Sequence, residues 1–572
     1  MKRILAALLL IVVCVIVTAC SASQMVTTTQ PQWTSTRIPT TRPPMTTVQP
    51  SYTQPTSSYT QPPTTTGGTI GLAAGGAKDV GNFRENIRNN YLPLPTDVTY
   101  EGLFYDYYFE TGQVEPTNKL YSPSYSFAVT RDPFSRQTEY YLSVGLNSGM
   151  KESDFARKKL NLVIVLDTSG SMTEQYNRYY YDGTGRQIDA YAEEGTHRKT
   201  KMQSAAESVI SILRQLNDGD RFAIITFNSR AFLLQPMQLV GEVNMGGVER
   251  MVLDINAGGS TNQEAGMEMG TEQYRGLHEL DNYEYENRMM VFTDAQPNTG
   301  DISTRGFNAI AAANAERRIY TTFIGIGVDF NSQLIEQITR IKGANYYSVH
   351  SPRQFRERVE EEFDYMVTPL VFDLRLDFHA DGWRIEKVFG SPEADAATGS
   401  LVRINTLFAA KSEGGEVRGG LVLLKLQKMS YNGSDKVYLR TAYEDRNGWV
   451  DGDEAVIYLE SQPPEYFPNT GIRKGVLLSR YAALLKNWMM DERQYARYNQ
   501  PWSPRVREDT GICIPAENVG QWERTSLNLS VSPPYRSIFR TFAGYFEDEM
   551  YAIGDETLEK ELQVLEWLAA SN

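Results

Sequence analysis

An α/β fold built on a doubly wound, mostly parallel sheet is predicted for the middle of this 572-residue chain, with a flanking β-rich region, a β-sandwich and a C-terminal helical segment around it. Three observations lead there. Residues 158–365 alternate strand-like and helix-like segments, the pattern of a parallel sheet covered by helices. Within them the apolar run 162–166, with Val163, Ile164 and Val165 β-branched, suits a strand buried on both faces. Beyond about residue 370 the pattern shortens to strand-length runs broken by Gly-, Asn- and Asp-rich turns, and the last hundred residues return to helical spacing.

The chain opens with a segment that is not part of this fold. Lys2 and Arg3 precede an apolar stretch, 4–17, that ends in Val17-Thr18-Ala19-Cys20, so residues 1–19 have the charged, apolar and small-residue regions of an export signal. The last four residues resemble a bacterial lipobox. That resemblance implies cleavage before Cys20, lipidation of its thiol, and an exported protein lipid-anchored to the outer face of a bacterial membrane. Ser21, in place of the aspartate that marks inner-membrane retention, favours the outer membrane or cell surface. An uncleaved anchoring helix is the alternative, opposed by an apolar run shorter than the ~20 residues needed to span. With Cys14 and Cys20 removed or lipidated, only Cys513 remains, which excludes an intrachain disulfide and a cysteine metal cluster.

Residues 20–76 are expected to be a disordered Thr/Pro-rich tether. From Ser21 to Thr66 there is no acidic residue, and Ser-Tyr-Thr-Gln-Pro repeats at 51–55 and 58–62. Such a composition cannot bury a core, and its prolines favour extended chain at ~3.1 Å per residue, a reach on the order of 100 Å. The next region, 77–157, is expected to be β-rich, with a helix near 82–90 and aromatic strands at 103–108 and 140–144. In 158–365 the further strands are 222–227, 289–293 and 319–328. Met202, Ala205, Val209, Ile212, Leu213 and Leu216 mark a one-faced helix between the run 162–166 and the strand 222–227. Strands at 371–378, 421–426, 437–443 and 455–459 place a separate sandwich in 366–465. In 466–572 the spacing of Ile472, Val476, Leu477, Tyr481, Leu484 and Trp488, and of Leu558, Leu562, Leu565 and Leu568, predicts helices that cap the sandwich.

The chemistry concentrates where the run 162–166 meets Asp167-Thr-Ser169-Gly-Ser171. Ligand sites of parallel sheets lie outside the carboxyl ends of the strands, where this turn sits. A hard divalent ion wants about six oxygen ligands, and the turn offers a carboxylate and two hydroxyls. Taken alone it is equally a strand-to-helix turn with a capping serine. Two more oxygen-bearing loops return to the same edge: Gly258-Gly-Ser-Thr261-Asn262, and Thr293-Asp294.

These residues resemble the metal-ion-dependent adhesion site (MIDAS) of the von Willebrand factor type A domain, Asp-x-Ser-x-Ser followed by a distant Thr and a distant Asp, and the likeness covers 158–365. It implies a Rossmann-like fold in which Ser169, Ser171 and Thr261 coordinate the ion, Asp167 and Asp294 hold its waters, and a protein partner supplies a carboxylate to the open position. The ion expected is Mg²⁺, with Ca²⁺ or Mn²⁺ as alternatives. One departure is Ala295, where the family usually has Gly; a positive φ there would strain alanine. The flanking regions also resemble those of bacterial membrane-anchored A-domain proteins and, more distantly, inter-alpha-trypsin inhibitor heavy chains, which implies an A domain inserted in or braced by a β scaffold.

Between Met172 and Lys199 lies an insertion rich in tyrosine, including Tyr176, Tyr179, Tyr180 and Tyr181. It reads either as a partner-binding rim of the metal site, because tyrosine gives contact area at low entropy cost, or as a plain exposed insertion. The stretch from Asp445 to Asp453 lacks calcium-loop ligands at the required steps and reads as a hairpin on Asn447-Gly448. No phosphate-loop, nucleophile-elbow or His-Glu-x-x-His pattern is present, so an enzyme is not expected. A net charge of −14 argues against nucleic acid as partner. The functional expectation is an envelope-anchored protein that binds a protein partner through a divalent metal, for adhesion or assembly of a surface complex. An envelope hydrolase with an unrecognised C-terminal active site and a purely structural envelope protein are the alternatives. Oligomeric state is left open.

Overall fold

Burial begins at Ile70 and Leu72, which are 2% and 0% exposed. The computed structural model describes residues 68–571 except 79, 113–116, 176–179, 182–186, 189–198, 278–282, 295–303, 327–339, 350–351, 393–400, 430–434 and 499–526. The signal segment with Cys20 and the tether up to 67 lie outside the described residues. The tether's expected end at 76 moves back, because Thr69–Ala74 form strand β1 and Gly76–Ala77 form β2. Glycines that read as linker are demanded by packing here: a Cβ on Gly71 would overlap the Val417 side chain. Helix α1 (Gly81–Arg88) follows as expected. Of the aromatic stretch expected as a strand at 103–108, the first half lies in a helix, α2 (Tyr100–Tyr105), and only Tyr108 enters a strand. The physical reason is a cap, since the Thr99 hydroxyl accepts from the Gly102 N–H at 3.1 Å. Strands β3 (Tyr108–Glu110), β4 (Ser124–Arg131), β5 (Thr138–Gly145) and β6 (Asn147–Lys151) complete this part.

Strand β7 (Lys159–Asp167) is the apolar run of the motif. Its side chains alternate: Leu160, Leu162, Ile164 and Leu166 enter one core, Val163 and Val165 another. Full burial of each contributes ~1.5–3 kcal/mol. In the insertion β8 (Tyr180–Tyr181) and β9 (Gln187–Ile188) form a short antiparallel pair. Then come α3 (Lys201–Leu213), β10 (Arg221–Phe227), β11 (Ala231–Leu239), α4 (Met245–Leu253) and α5 (Gln263–Glu272). They are followed by β12 (Tyr285–Thr293), α6 (Thr304–Glu316), β13 (Ile319–Ile326), β14 (Asn345–Val349) and α7 (Pro352–Met366). The sheet order is β11-β10-β7-β12-β13-β14-β2, with only β11 antiparallel to its neighbour. Val209 and Ile212 of α3, Val248 of α4 and Phe363 of α7 cover one face; Met267 of α5 and Ala311 of α6 cover the other. This is the doubly wound sheet expected. Its chain reverses direction of growth at β7, with β10 on one side and β12 on the other, which opens a crevice at their carboxyl ends.

After α7 the chain forms β15 (Pro369–His379), β16 (Trp383–Phe389), β17 (Leu401–Ala410), β18 (Ser412–Glu413), β19 (Glu416–Arg418), β20 (Leu421–Lys428), β21 (Lys436–Asp445) and β22 (Val450–Tyr458). Two sheets result, β22-β21-β15-β17-β1-β6 and β16-β20-β5-β4. Both contain strands from before and after the parallel sheet, so the regions 77–157 and 366–465, expected as separate, share one sandwich. The cause is mutual need: β5 pairs with β20, Leu142 opposite Leu424, and these side chains close a core with Ile70, Leu72, Leu374 and Leu376. Asn447 and Gly448 form the expected hairpin turn, Gly448 at φ +89° and Asp445 Oδ1 accepting from the Asn447 and Trp449 N–H groups.

Helices α8 (Thr470–Tyr498), α9 (Pro533–Ile553) and α10 (Glu559–Ala570) pack through Val476, Tyr481, Trp488, Phe539, Phe546 and Leu565 against Tyr141, Leu421 and Leu423 of the four-stranded sheet. They cap the sandwich on its outer face. Among the described residues no helix is long and apolar enough to cross a membrane.

Candidate metal centre

Asp167 ends β7 with its side chain fully buried. Its Oδ1 accepts from the Ser169 N–H at 2.8 Å, which folds the chain into a tight turn, and its Oδ2 accepts from the Thr293 hydroxyl at 2.8 Å. The second bond ties the carboxyl end of β12 to that of β7. Burial foremost, then the charge of Asp294, push the Asp167 carboxyl up to about 7, against the downward pull of the Ser169 and Thr293 hydrogen bonds. Two carboxylates are thus held in a dry place, where charge seeks a cation.

Ser169 stands at the N-cap of a 3₁₀ turn, Gly170–Thr173, that contains Ser171, and the two hydroxyl oxygens lie 3.1 Å apart. Ser169 is buried and Ser171 half-buried. The loop with Thr261 is stitched to this turn by backbone: the Gly258 N–H donates to Thr168 O at 2.8 Å and the Gly170 N–H to Gly259 O at 2.9 Å. Gly259 sits at φ +92°, a conformation that favours glycine. The Asn262 N–H donates to Asn228 O at 2.7 Å, and the Asn262 side chain then caps α5 through the Ala265 N–H. Thr261 is 1% exposed. The turns after β7 and β10, the end of β12 at Thr293-Asp294 and the loop before α5 therefore lie at one edge of the sheet, which carries Asp167, Ser169, Ser171, Thr261 and Asp294.

Asp294 supplies the test of fit. It is completely buried; its Oδ2 lies 3.3 Å from Lys201 Nζ, whereas its Oδ1 is a buried oxygen without a hydrogen-bond partner. A buried carboxylate oxygen left without a donor is costly, and an ion's water is the kind of donor that would satisfy it. Among the described residues no group of three His, Cys, Asp or Glu side chains could hold an ion, so an ion bound at this edge would have to draw on hydroxyl oxygens as well. Two serines and a threonine beside two carboxylates fit a hard, oxygen-seeking cation and suit a soft one poorly.

Lys201 and Glu174 escaped the sequence reading. The Lys201 ammonium, 0% exposed, bridges Asp294 and Glu174 Oε2 at 3.1 Å. A signal did exist: Thr200 caps α3 in a capping box with Gln203, which makes Lys201 the first helical residue, a place unfavourable to a cation. Of the expected rim, Tyr180 and Tyr181 lie on β8, while Tyr176 and Tyr179 fall outside the described residues, as does Ala295. The base of the insertion is closed by a Gln175–Thr200 bridge and by the Lys201 N–H donating to Glu174 O at 2.9 Å.

Comparison with known proteins bears on the fold of this region. Residues 161–361 match the von Willebrand factor type A domain family. Human inter-alpha-trypsin inhibitor heavy chain H4 is 23% identical over 229 residues, 38% of this chain and 21% of that protein, so the chain spans about a fifth of this relative's length. Among solved structures, a von Willebrand factor type A protein from Catenulispora acidiphila aligns with TM-score 0.40 and 14% identity, covering 65% of this chain and 82% of the other. The ArnB paralogue VWA2 from Sulfolobus acidocaldarius aligns with TM-score 0.36 and 11% identity, covering 79% and 97%.

Proposed function

We propose that this chain, whose residues 161–361 form a von Willebrand factor type A domain, binds a protein partner through a divalent cation held at Asp167, Ser169, Ser171, Thr261 and Asp294, as part of adhesion or assembly at a bacterial cell envelope. The observation that carries the reading is the unpartnered buried Oδ1 of Asp294 beside Asp167 and the paired serine hydroxyls. The three hydroxyls would touch the ion, and Asp167 and Asp294 would hold its waters. Bound there, Mg²⁺ would offer a Lewis-acidic position to a partner's carboxylate. The chain's own contribution is rigidity: the bonds from Ser169 and Thr293 fix Asp167, and the Gly170–Gly259 bond fixes the distance between the serine turn and the Thr261 loop. The charged, apolar and Cys20-ended leader and the proline-rich tether support an exported, lipid-anchored setting.

The test has two stages. Calorimetric titration with Mg²⁺ and Mn²⁺ is expected to show one site in the wild-type chain and none in Asp167→Ala. Affinity capture of envelope proteins is then run with Mg²⁺, with EDTA, and with Asp167→Ala. Partner binding is expected only in the first arm, and a partner held equally in all three refutes metal-mediated recognition.

A further inference from the structure

A cation at position 201 is badly placed on local grounds. The first turn of a helix carries the positive end of the peptide dipoles, and Lys201 opens α3. Its side chain is also wholly buried, which for an ammonium is costly unless it is paired. Two carboxylates answer both objections: Glu174, 26% exposed, at 3.1 Å, and Asp294, 0% exposed, at 3.3 Å. Lys201 takes one oxygen of Asp294, and the other stands buried without a partner.

We infer that Lys201 is the resident counter-charge of the metal site and the antagonist of its ion. The inference rests on reading the cradle as a metal site. With Asp167 and Asp294 both close by, the empty cradle would hold uncompensated negative charge in a low-dielectric place; the ammonium supplies compensation without metal. When a divalent cation enters, two positive charges share Asp294 and repel one another, and Glu174 is the carboxylate toward which the ammonium is driven. Lys201 therefore weakens ion binding and stabilises the ion-free fold, which makes loading reversible. Because Glu174 also closes the base of the tyrosine-rich insertion through its backbone carbonyl, the same charge exchange reaches the insertion's stem.

The experiment measures Mn²⁺ affinity of the full chain by calorimetry, and its unfolding temperature with and without Mn²⁺, for wild type, Lys201→Met and Glu174→Gln. Lys201→Met keeps the length of the side chain and removes its charge. It is expected to bind Mn²⁺ about tenfold more tightly and to show a larger metal-induced rise in Tm than wild type. Glu174→Gln leaves the ammonium to Asp294 alone and is expected to weaken Mn²⁺ binding severalfold. Unchanged or weaker affinity in Lys201→Met, with Tm lowered equally in both conditions, overturns the proposal and leaves Lys201 a structural residue. Should Lys201→Met fail to fold, Glu174→Gln decides alone, and unchanged affinity there overturns the proposal. A wild-type chain that binds no Mn²⁺ refutes the metal site itself, an outcome distinct from the others.

Discussion

Lys78, just beyond β2, is 1% exposed, with its ammonium donating to the Ala74 carbonyl and lying 4.2 Å from the Tyr105 ring centroid. Burial, only partly offset by the charges of Glu101 and Glu362, lowers its pKa from 10.5 to about 7. Between pH 7 and 10.5 the unfolded chain therefore holds a proton that the folded chain has released, so stability rises with pH across that window and is lowest below 7. Relative to Lys78→Met, the wild-type chain is expected to gain up to about 1.4 kcal/mol per pH unit between pH 7 and 9. Urea denaturation at four pH values checks this, and a pH-independent difference sinks it. Both buried lysines were illegible in the sequence, where a lysine reads as surface until its partners are known. The turn that carries Asp167, Ser169 and Ser171 was legible because it ends a strongly apolar strand, although taken alone it reads equally as a capping turn and needs the distant Thr261 and Asp294 to suggest a site.

The insertion shows what an element can be detached from. Its stem closes on itself through the Gln175–Thr200 bridge, and α3 begins directly after it with its own capping box, so neither β7 nor α3 depends on what lies between. Replacing residues 176–194 by a short Gly-Ser turn is expected to leave Mg²⁺ affinity within about twofold, since metal ligands and caps are untouched, while partner capture is lost. Partner capture that survives the replacement would assign the insertion to plain exposed surface. Elements with a strong period were read correctly, among them β7, α3 and the hairpin at Asn447-Gly448. The stretch 103–108 was not, because Leu, Phe and Tyr satisfy strand and helix patterns alike over six residues and only the Thr99 cap decides for the helix that takes in 103–105.

At the scale of the molecule, a nine-residue segment belongs to two sheets at once. Residues 69–74 pair with β17 and β6 in the sandwich, residues 76–77 pair with β14 in the parallel sheet, and Gly75 between them donates to Thr406 O. The expected boundaries could not show this, because a pairing between distant strands leaves no local trace. Leu72→Ala, which empties a fully buried position of the sandwich, is expected to cost about 2–5 kcal/mol and to lower one shared calorimetric transition. Two transitions, of which only one moves, would show that the von Willebrand factor type A domain unfolds independently. The shared segment also sets an order of events in time. Leu72 leaves the ribosome early, yet its partner Ala409 lies far along the chain, and β2 must likewise await Asn345 and Tyr346. Such distant closure is slow, and β1, the first strand among the described residues, is among the last to be seated. The two sheets are thus fastened together by residues made early in synthesis, and a chain released before residue 410 would leave that apolar strand open to wrong partners.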